Sequence, residues 1–277
     1  MTVLEKGART NMAASVQSEE AGLRHLWSKF VSSPGALRLA LVIGFFAAWE
    51  IYASFFANPR FLPPISEVVL SLPKFFQIRN MTLALGITAF EVAVAFVMAV
   101  AIGVAVGIAL GFSRVLNRTF MPIVLLIYAT PNAVFLPLFM LLFGLGVTSK
   151  IAYGFAHGVF PIIITVAAGV ANLKPVLLAS ARSMGASRYQ ILRHVIFPHM
   201  LPNFFAAMRL GMATTLLGVI LSELFVSQAG IGHFARLFSM TFQTVNLYAL
   251  ILLVTTIAII INEILRRQEA RLSKWRD

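Results

Sequence analysis

The sequence predicts an all-α membrane protein that crosses the bilayer about six times. Three observations carry that expectation. Of the 277 residues 59% are hydrophobic and only 12% charged; the mean hydropathy is +0.88; and the apolar residues fall in long runs, not in the short alternations of a soluble core. A hydrocarbon layer about 30 Å thick takes roughly 20 apolar residues per helix, so each run can be tested against that length.

Residues 1–36 are polar and form a separate N-terminal segment ahead of a membrane domain over 37–277. The first run, 37–57, is too long for a signal-peptide core and has no small-residue cleavage site, so it reads as an uncleaved span. Pro59, Pro63, Pro64 and Pro73 then make 58–80 a partly structured loop near the membrane surface, with Trp49, Tyr52 and Phe61 suited to the interfacial aromatic belt. The second span, 82–111, places Ala95, Ala99, Gly103, Gly107 and Gly111 at every fourth residue, the small-xxx-small pattern that lets helix backbones pack closely in lipid. Glu91 lies one step before that stripe. A carboxylate facing lipid is expensive, so Glu91 meets a neighbouring helix, a solute pathway or the outer surface.

The third span, 119–145, is interrupted by Thr130-Pro131-Asn132. The proline frees a carbonyl, and its polar neighbours either satisfy that carbonyl at a simple kink or line a cavity. The fourth span covers 150–171, the fifth 203–226 and the sixth 244–265. Glu50 near the outer end of the first span and Glu223 at the end of the fifth fit interfacial positions, and Glu223 is also a pathway candidate. Sixteen Lys and Arg flank the spans on the side of the N-terminus, against Arg60, Lys74, Arg79, Lys150 and Arg236 on the other, with Arg209 inside the fifth span near enough to its end to snorkel. Positive charge is retained in the cytoplasm, so both termini are expected there.

Several functions are excluded on composition. There is no cysteine, hence no disulfide, thiolate chemistry or Cys-ligated metal. His157, His194, His199 and His233 lack metal-ligand spacing. The net charge of +12 is spread beside apolar spans and forms no patch of the kind that binds nucleic acid. No phosphate-binding Gly-x4-Gly-Lys-Ser/Thr loop occurs, so any ATP must be handled by another chain.

The segment 172–202 is too polar to span and too long for a tight turn. It reads as two short helices. Pro175 suits a first helical turn, with Leu177, Leu178, Ala181 and Met184 on one face, and Gly185 ends the helix. Ser187 with Gln190 fits a capping box for the second, whose Ile191, Leu192 and Val195 are apolar while Arg188 and Arg193 stay wet, and Pro198 closes it. Such a basic, partly apolar knob either docks another protein, since Ala181 and Gly185 permit close approach, or rests on anionic lipid.

Ala181-Arg182-Ser183-Met184-Gly185-Ala186-Ser187, followed by Ile196-Phe197-Pro198 and Pro202, resembles the EAA loop of ABC-importer permeases. Leu62-Pro63-Pro64-Ile65-Ser66, Pro131 with Leu136-Pro137-Leu138, Phe143-Gly144-Leu145-Gly146 with Ser149-Lys150, Phe160-Pro161, Glu223 with Ser227 and Gly230-Ile231-Gly232, and Trp275 are similar to the nitrate/sulfonate/taurine branch of that family. The resemblance implies the type I importer architecture in a bacterial inner membrane: two permease subunits, here a homodimer, enclosing a pathway for a small polar solute. It also implies an extracytoplasmic solute-binding protein and a cytoplasmic ATPase dimer, which holds the Mg-ATP while this chain binds no cofactor. By the same resemblance Ala181, Arg182, Ser183, Gly185, Ala186, Ser187 and Tyr189 couple the chain to the ATPase. This sequence has Ala179-Ser180-Ala181 where the family has Glu-Ala-Ala, and Glu91 where a basic residue is frequent. On the residues alone the competing expectation is an ion-driven secondary transporter or channel, with Glu91, Glu223 and Arg209 as its intramembrane charges.

Overall fold

The computed structural model describes residues 33–173 and 175–272, without the side chains of Arg188, Leu192 and Val226. The expectations for residues 1–32, Lys174 and Trp275 lie outside the described residues. Every regular element among the described residues is helical. The chain divides into two compact units, one ending at Val69 and the other starting at Leu70.

In the first unit, α1 (Pro34–Phe55) starts with Pro34 in its first turn, and the Ser33 side chain accepts from Ala36 N at 3.5 Å. After the Pro59–Pro64 stretch, α2 (Ile65–Phe75) begins, the structured part of the loop expected over 58–80. Glu50 is the anchor of its first turn. Its carboxylate accepts from Ser66 N at 3.0 Å and from the Ser66 hydroxyl at 2.6 Å, while Trp49 Nε1 donates to Pro63 O at 3.1 Å.

The second unit continues with α3 (Met81–Phe112), α4 (Arg114–Ala129), a 3₁₀ turn (Asn132–Phe135), α5 (Leu136–Phe143), α6 (Val147–Ala171), α7 (Pro175–Ser183), α8 (Arg188–Ile191), a π-type turn (Leu192–Ile196), α9 (Phe197–Val226), α10 (Ile231–Met240) and α11 (Thr244–Leu272). Among the described residues five helices are long and apolar enough to cross a membrane, or six if α4 and the Asn132–Phe143 arm count as one broken span. That third span differs most from expectation, because its two arms meet at 84°. Pro131 cannot donate to Ile127 O, so Thr130 N takes that carbonyl at 3.2 Å while the Thr130 hydroxyl takes Leu126 O at 2.9 Å. With both carbonyls satisfied, the helix can stop inside an apolar stretch and restart in a new direction.

The fifth span also departs from expectation. Pro198 does not close the helix before it: a helical path runs unbroken over Tyr189–Phe225. The π-type turn shifts the hydrogen-bond register just ahead of Pro198, so the missing proline N–H falls where the ladder is already interrupted. Arg209 is ion-paired with Glu269 near the end of α11.

The packed centre of this unit is α6, held between α3 and α9. Its Val159, Ile162, Ile163, Val166, Ala167 and Val170 are buried with Ala99, Leu110 and Ala207. Lipid tails are as apolar as leucine, so close backbone packing, not burial from water, must hold such helices together. On the α3 side a Cβ added to Gly103 would lie 2.8 Å from Ile162 Cγ2, one on Gly107 2.8 Å from Val166 Cβ, and one on Gly111 2.9 Å from Ala167 O. On the α9 side a Cβ on Gly218 would lie 2.8 Å from His157 Cγ. No larger residue fits at either contact without separating the helices.

Candidate functional site

Three places in the second unit bring functional side chains together. The first is the elbow formed by α7, α8 and the π-type turn. Pro175 opens α7, and Gly185, at φ +75°, ends it in a Schellman motif: Ala186 N donates to Ala181 O at 3.0 Å and Gly185 N to Arg182 O at 2.9 Å. Ser187 then caps α8 reciprocally, its N–H donating to Gln190 Oε1 at 2.7 Å while Gln190 N donates to Ser187 Oγ at 3.3 Å. These two caps fix the shape of the elbow without help from a partner.

Its inner face, Leu178, Ala181, Ala186, Ile191 and Val195, packs on the core. The outer face presents Val176, 71% exposed, Met184, 86% exposed, and Tyr189, 65% exposed. Met184 was expected to share a face with Leu177, Leu178 and Ala181; it falls outside because α7 stops at Ser183 and the chain reverses at Gly185. Arg182, Ser183 and Gly185 are exposed, the Ser183 hydroxyl donating to Ala179 O at 3.0 Å, and Arg193 Nη1 donates to the Tyr189 hydroxyl at 3.2 Å. Ala181 and Ala186 of the coupling set are the two that face inward.

The second place is a buried charge cluster where α3, α6, α9 and the start of α10 meet. Glu91 and Lys150 form an ion pair through Glu91 Oε1, and Glu91 and Glu223 are both wholly buried. Glu223 Oε1 accepts from the Thr88 hydroxyl at 2.6 Å, and its Oε2 from Gly232 N at 2.9 Å; Ile231 N donates to Thr88 Oγ1 at 2.9 Å. Glu91 thus takes the ammonium, Glu223 takes one hydroxyl and one backbone N–H, and the groups together come from four different helices. Burying charges is tolerable only with such pairing. Gly230, at φ +96°, has the Glu223 carboxylate against it, and a Cβ on Gly232 would lie 2.5 Å from Glu223 Cβ. Ser227 turns the chain between α9 and α10, its hydroxyl accepting from Ala229 N at 2.9 Å while Arg236 Nη2 donates to Ser227 O at 3.2 Å. Glu223 therefore sits in the protein interior, not at an interface with lipid headgroups. Lys150, counted among the outer-flank charges, is buried beside it. Among the described residues no group of side chains could hold a metal ion.

The third place is a cavity of about 230 Å³ at the break between α4 and the 3₁₀ turn. Asn132, Phe135, Phe139, Tyr153, His157 and Phe160 border it, and no charged side chain does. The Tyr153 hydroxyl donates to Asn132 O at 3.2 Å, His157 Nδ1 meets Tyr153 O at 3.1 Å, and the Phe139 and Tyr153 rings meet edge to face at 5.5 Å. Thr130 is partly buried and Pro131 exposed beside it. Nothing in the sequence joins Tyr153 and His157 to Asn132 except the one-turn spacing of the two rings on one helix face.

Comparison with known proteins adds the lineage. Residues 99–274 match the family described as binding-protein-dependent transport system inner membrane component. The chain is 29% identical over 232 residues to the taurine transport system permease protein TauC of Escherichia coli (strain K12), covering 82% of this chain and 84% of that one. It is 28% identical over 273 residues to the putative aliphatic sulfonates transport permease protein SsuC of Bacillus subtilis (strain 168), covering 97% and 95%. In fold it is similar to a chain of the MetNI methionine ABC transporter in an inward facing conformation, with a TM-score of 0.63 at 19% identity over 71% of this chain and 98% of that one.

Proposed function

The chain belongs to the binding-protein-dependent transport system inner membrane component family, and from that premise we propose that it forms the solute pathway of an ATP-driven importer as one half of a homodimer. As a permease it is a transport subunit and not an enzyme. A separate binding protein delivers a small polar solute on the outer side, and a cytoplasmic ATPase dimer holding Mg-ATP grips the elbow over 172–202. Both termini lie in the cytoplasm, on the side of that ATPase.

The observation that carries this reading is the elbow. Its exposed outer face of Val176, Met184 and Tyr189 is apolar, Arg182 and Arg193 ring it with positive charge, and its two caps keep it rigid while unpartnered. Apolar anchors inside a polar rim are the make-up of a protein interface. Ala179 and Ser180 replace the family's Glu-Ala at exposed positions of α7, so anchoring falls to the Gly185 and Ser187 caps. Thr130, Pro131 and Asn132 border the route of the solute at the broken span, whereas Glu91 and Glu223, being enclosed, hold the surrounding helices in place.

Co-purification tests the reading. The intact chain carries a cytoplasmic ATPase through affinity capture, and Met184→Asp releases it without changing membrane insertion. Solute uptake that continues after the ATPase is deleted would overturn the assignment.

A further inference from the structure

We propose that the groove between α9 and α11 binds an anionic phospholipid, one acyl chain lying along the groove and the phosphodiester seated on Arg209 and Asn262 at its rim. The proposal goes beyond the importer reading and needs it only to name the leaflet, the inner one.

Helix α9 is closed on α6 by glycines: a Cβ on Gly211 would lie 2.5 Å from Ile162 Cδ1, as one on Gly218 meets His157. Helix α11 has no glycine, and toward it α9 turns Met212 and Leu216 against Ile261. Two cavities, of about 290 and 60 Å³, share those three residues and so make one groove. Along α11 it runs from Val254 to Leu265, about 16 Å at 1.5 Å per residue. Inside, the polar side chain is Thr88, whose hydroxyl is bonded to Glu223, so the groove asks for an apolar occupant. Left empty in a bilayer, its lining forfeits dispersion contacts that an acyl chain restores, whatever length of that chain continues into the surrounding lipid.

Charge is gathered at one end. Helix α11 carries no charged residue from Thr244 to Asn262 and then has Glu263, Arg266, Arg267, Glu269 and Arg271. With Arg209 across the groove, that is four guanidiniums against two carboxylates, a surplus of two positive charges where the span leaves the hydrocarbon. Arg266 and Arg267 are turned onto Glu263, and Glu269 holds Arg209 through Nη1. The Arg209 side chain is still 26% exposed, and its Nε and Nη2 make no hydrogen bond among the described residues. Asn262 is exposed, its amide is likewise unbonded among them, and both residues border the charged end of the groove. Guanidinium and amide N–H groups suit the paired oxygens of a phosphodiester, and the positive surplus favours a headgroup that adds no ammonium of its own. A second copy of the chain fits the same face less well. Two copies in one bilayer share their orientation, so an isologous contact here would set like surpluses against each other.

The test is native mass spectrometry of the full-length permease, titrated in detergent with phosphatidylglycerol or phosphatidylcholine of matched chains. Phosphatidylglycerol is expected to bind about tenfold more tightly. Asn262→Leu, which removes an amide that bonds nothing in the fold, weakens phosphatidylglycerol about tenfold and leaves the unfolding temperature unchanged. Ala258→Phe, which puts a ring into the groove and leaves the rim intact, weakens both lipids. Equal binding of the two lipids, phosphatidylglycerol affinity unchanged in both variants, or inorganic phosphate competing as well as the lipid overturns the inference. So does efficient disulfide formation between two copies of Ile257→Cys, made in a chain that has no other cysteine, because a second subunit would then cover the groove. Failure of the ATPase to co-purify instead sinks the importer reading and leaves this binding result standing.

Discussion

Gly185 and Gly230 both turn the chain with a φ that other residues rarely adopt, +75° and +96°, and the space around them is opposite in kind. Nothing comes within 4 Å of a Cβ built on Gly185, whereas one built on Gly230 runs into the Glu223 carboxylate. The same backbone demand has been used once to hold a surface open and once to seal an interior. Free space at a strained turn leaves that surface available to another molecule; filled space means the turn already serves its own fold.

The largest effect comes from breaking the sealed side. Lys150→Met leaves Glu91 buried without its cation and is expected to destabilise the protein by about 3–5 kcal/mol, read as a large drop in thermal unfolding temperature in detergent, while adding Glu91→Gln restores most of it. A Lys150→Met protein as stable as the parent would mean the cluster is not closed. Next, Gly230→Ala adds about 1–3 kcal/mol of backbone strain and displaces Glu223 from Gly232 N, so unfolding shifts and a second change, Glu223→Gln, adds less than it does alone.

On the open side the effects shrink and change character. Gly185→Ala costs about 1 kcal/mol, all of it conformational, and is expected to lower ATPase capture while the unfolding temperature barely moves. Smallest is Ser187→Ala. Loss of this cap, worth about 1 kcal/mol, is confined to one turn and shows as faster hydrogen exchange at the Gln190 amide. Equal losses of global stability at Gly185 and Gly230 would remove the distinction between the two turns.

What could be read in the sequence tracks how local each feature is. The Ser187–Gln190 box, the Gly185 stop and the apolar runs are written within a few residues of themselves, and the family likeness follows from the same short stretches. The charge cluster is not local: Thr88 and Glu223 are 135 residues apart, and Lys150 looks like any flanking lysine until α6 is packed between α3 and α9. Helix α10 escaped notice because ten amphipathic residues are too few to register as a span. Pro198 reads as a stop in sequence because proline usually is one, and only the register shift over Leu192–Ile196 lets the helix continue.

That continuation has a mechanical consequence. The thirty residues of α9 make a rod about 45 Å long, joined at one end to the elbow without a break and carrying Glu223 at the other. Whatever torque reaches Tyr189 is delivered along that helix to the buried carboxylate that fastens α3 and α10, so the latch and the handle belong to one piece.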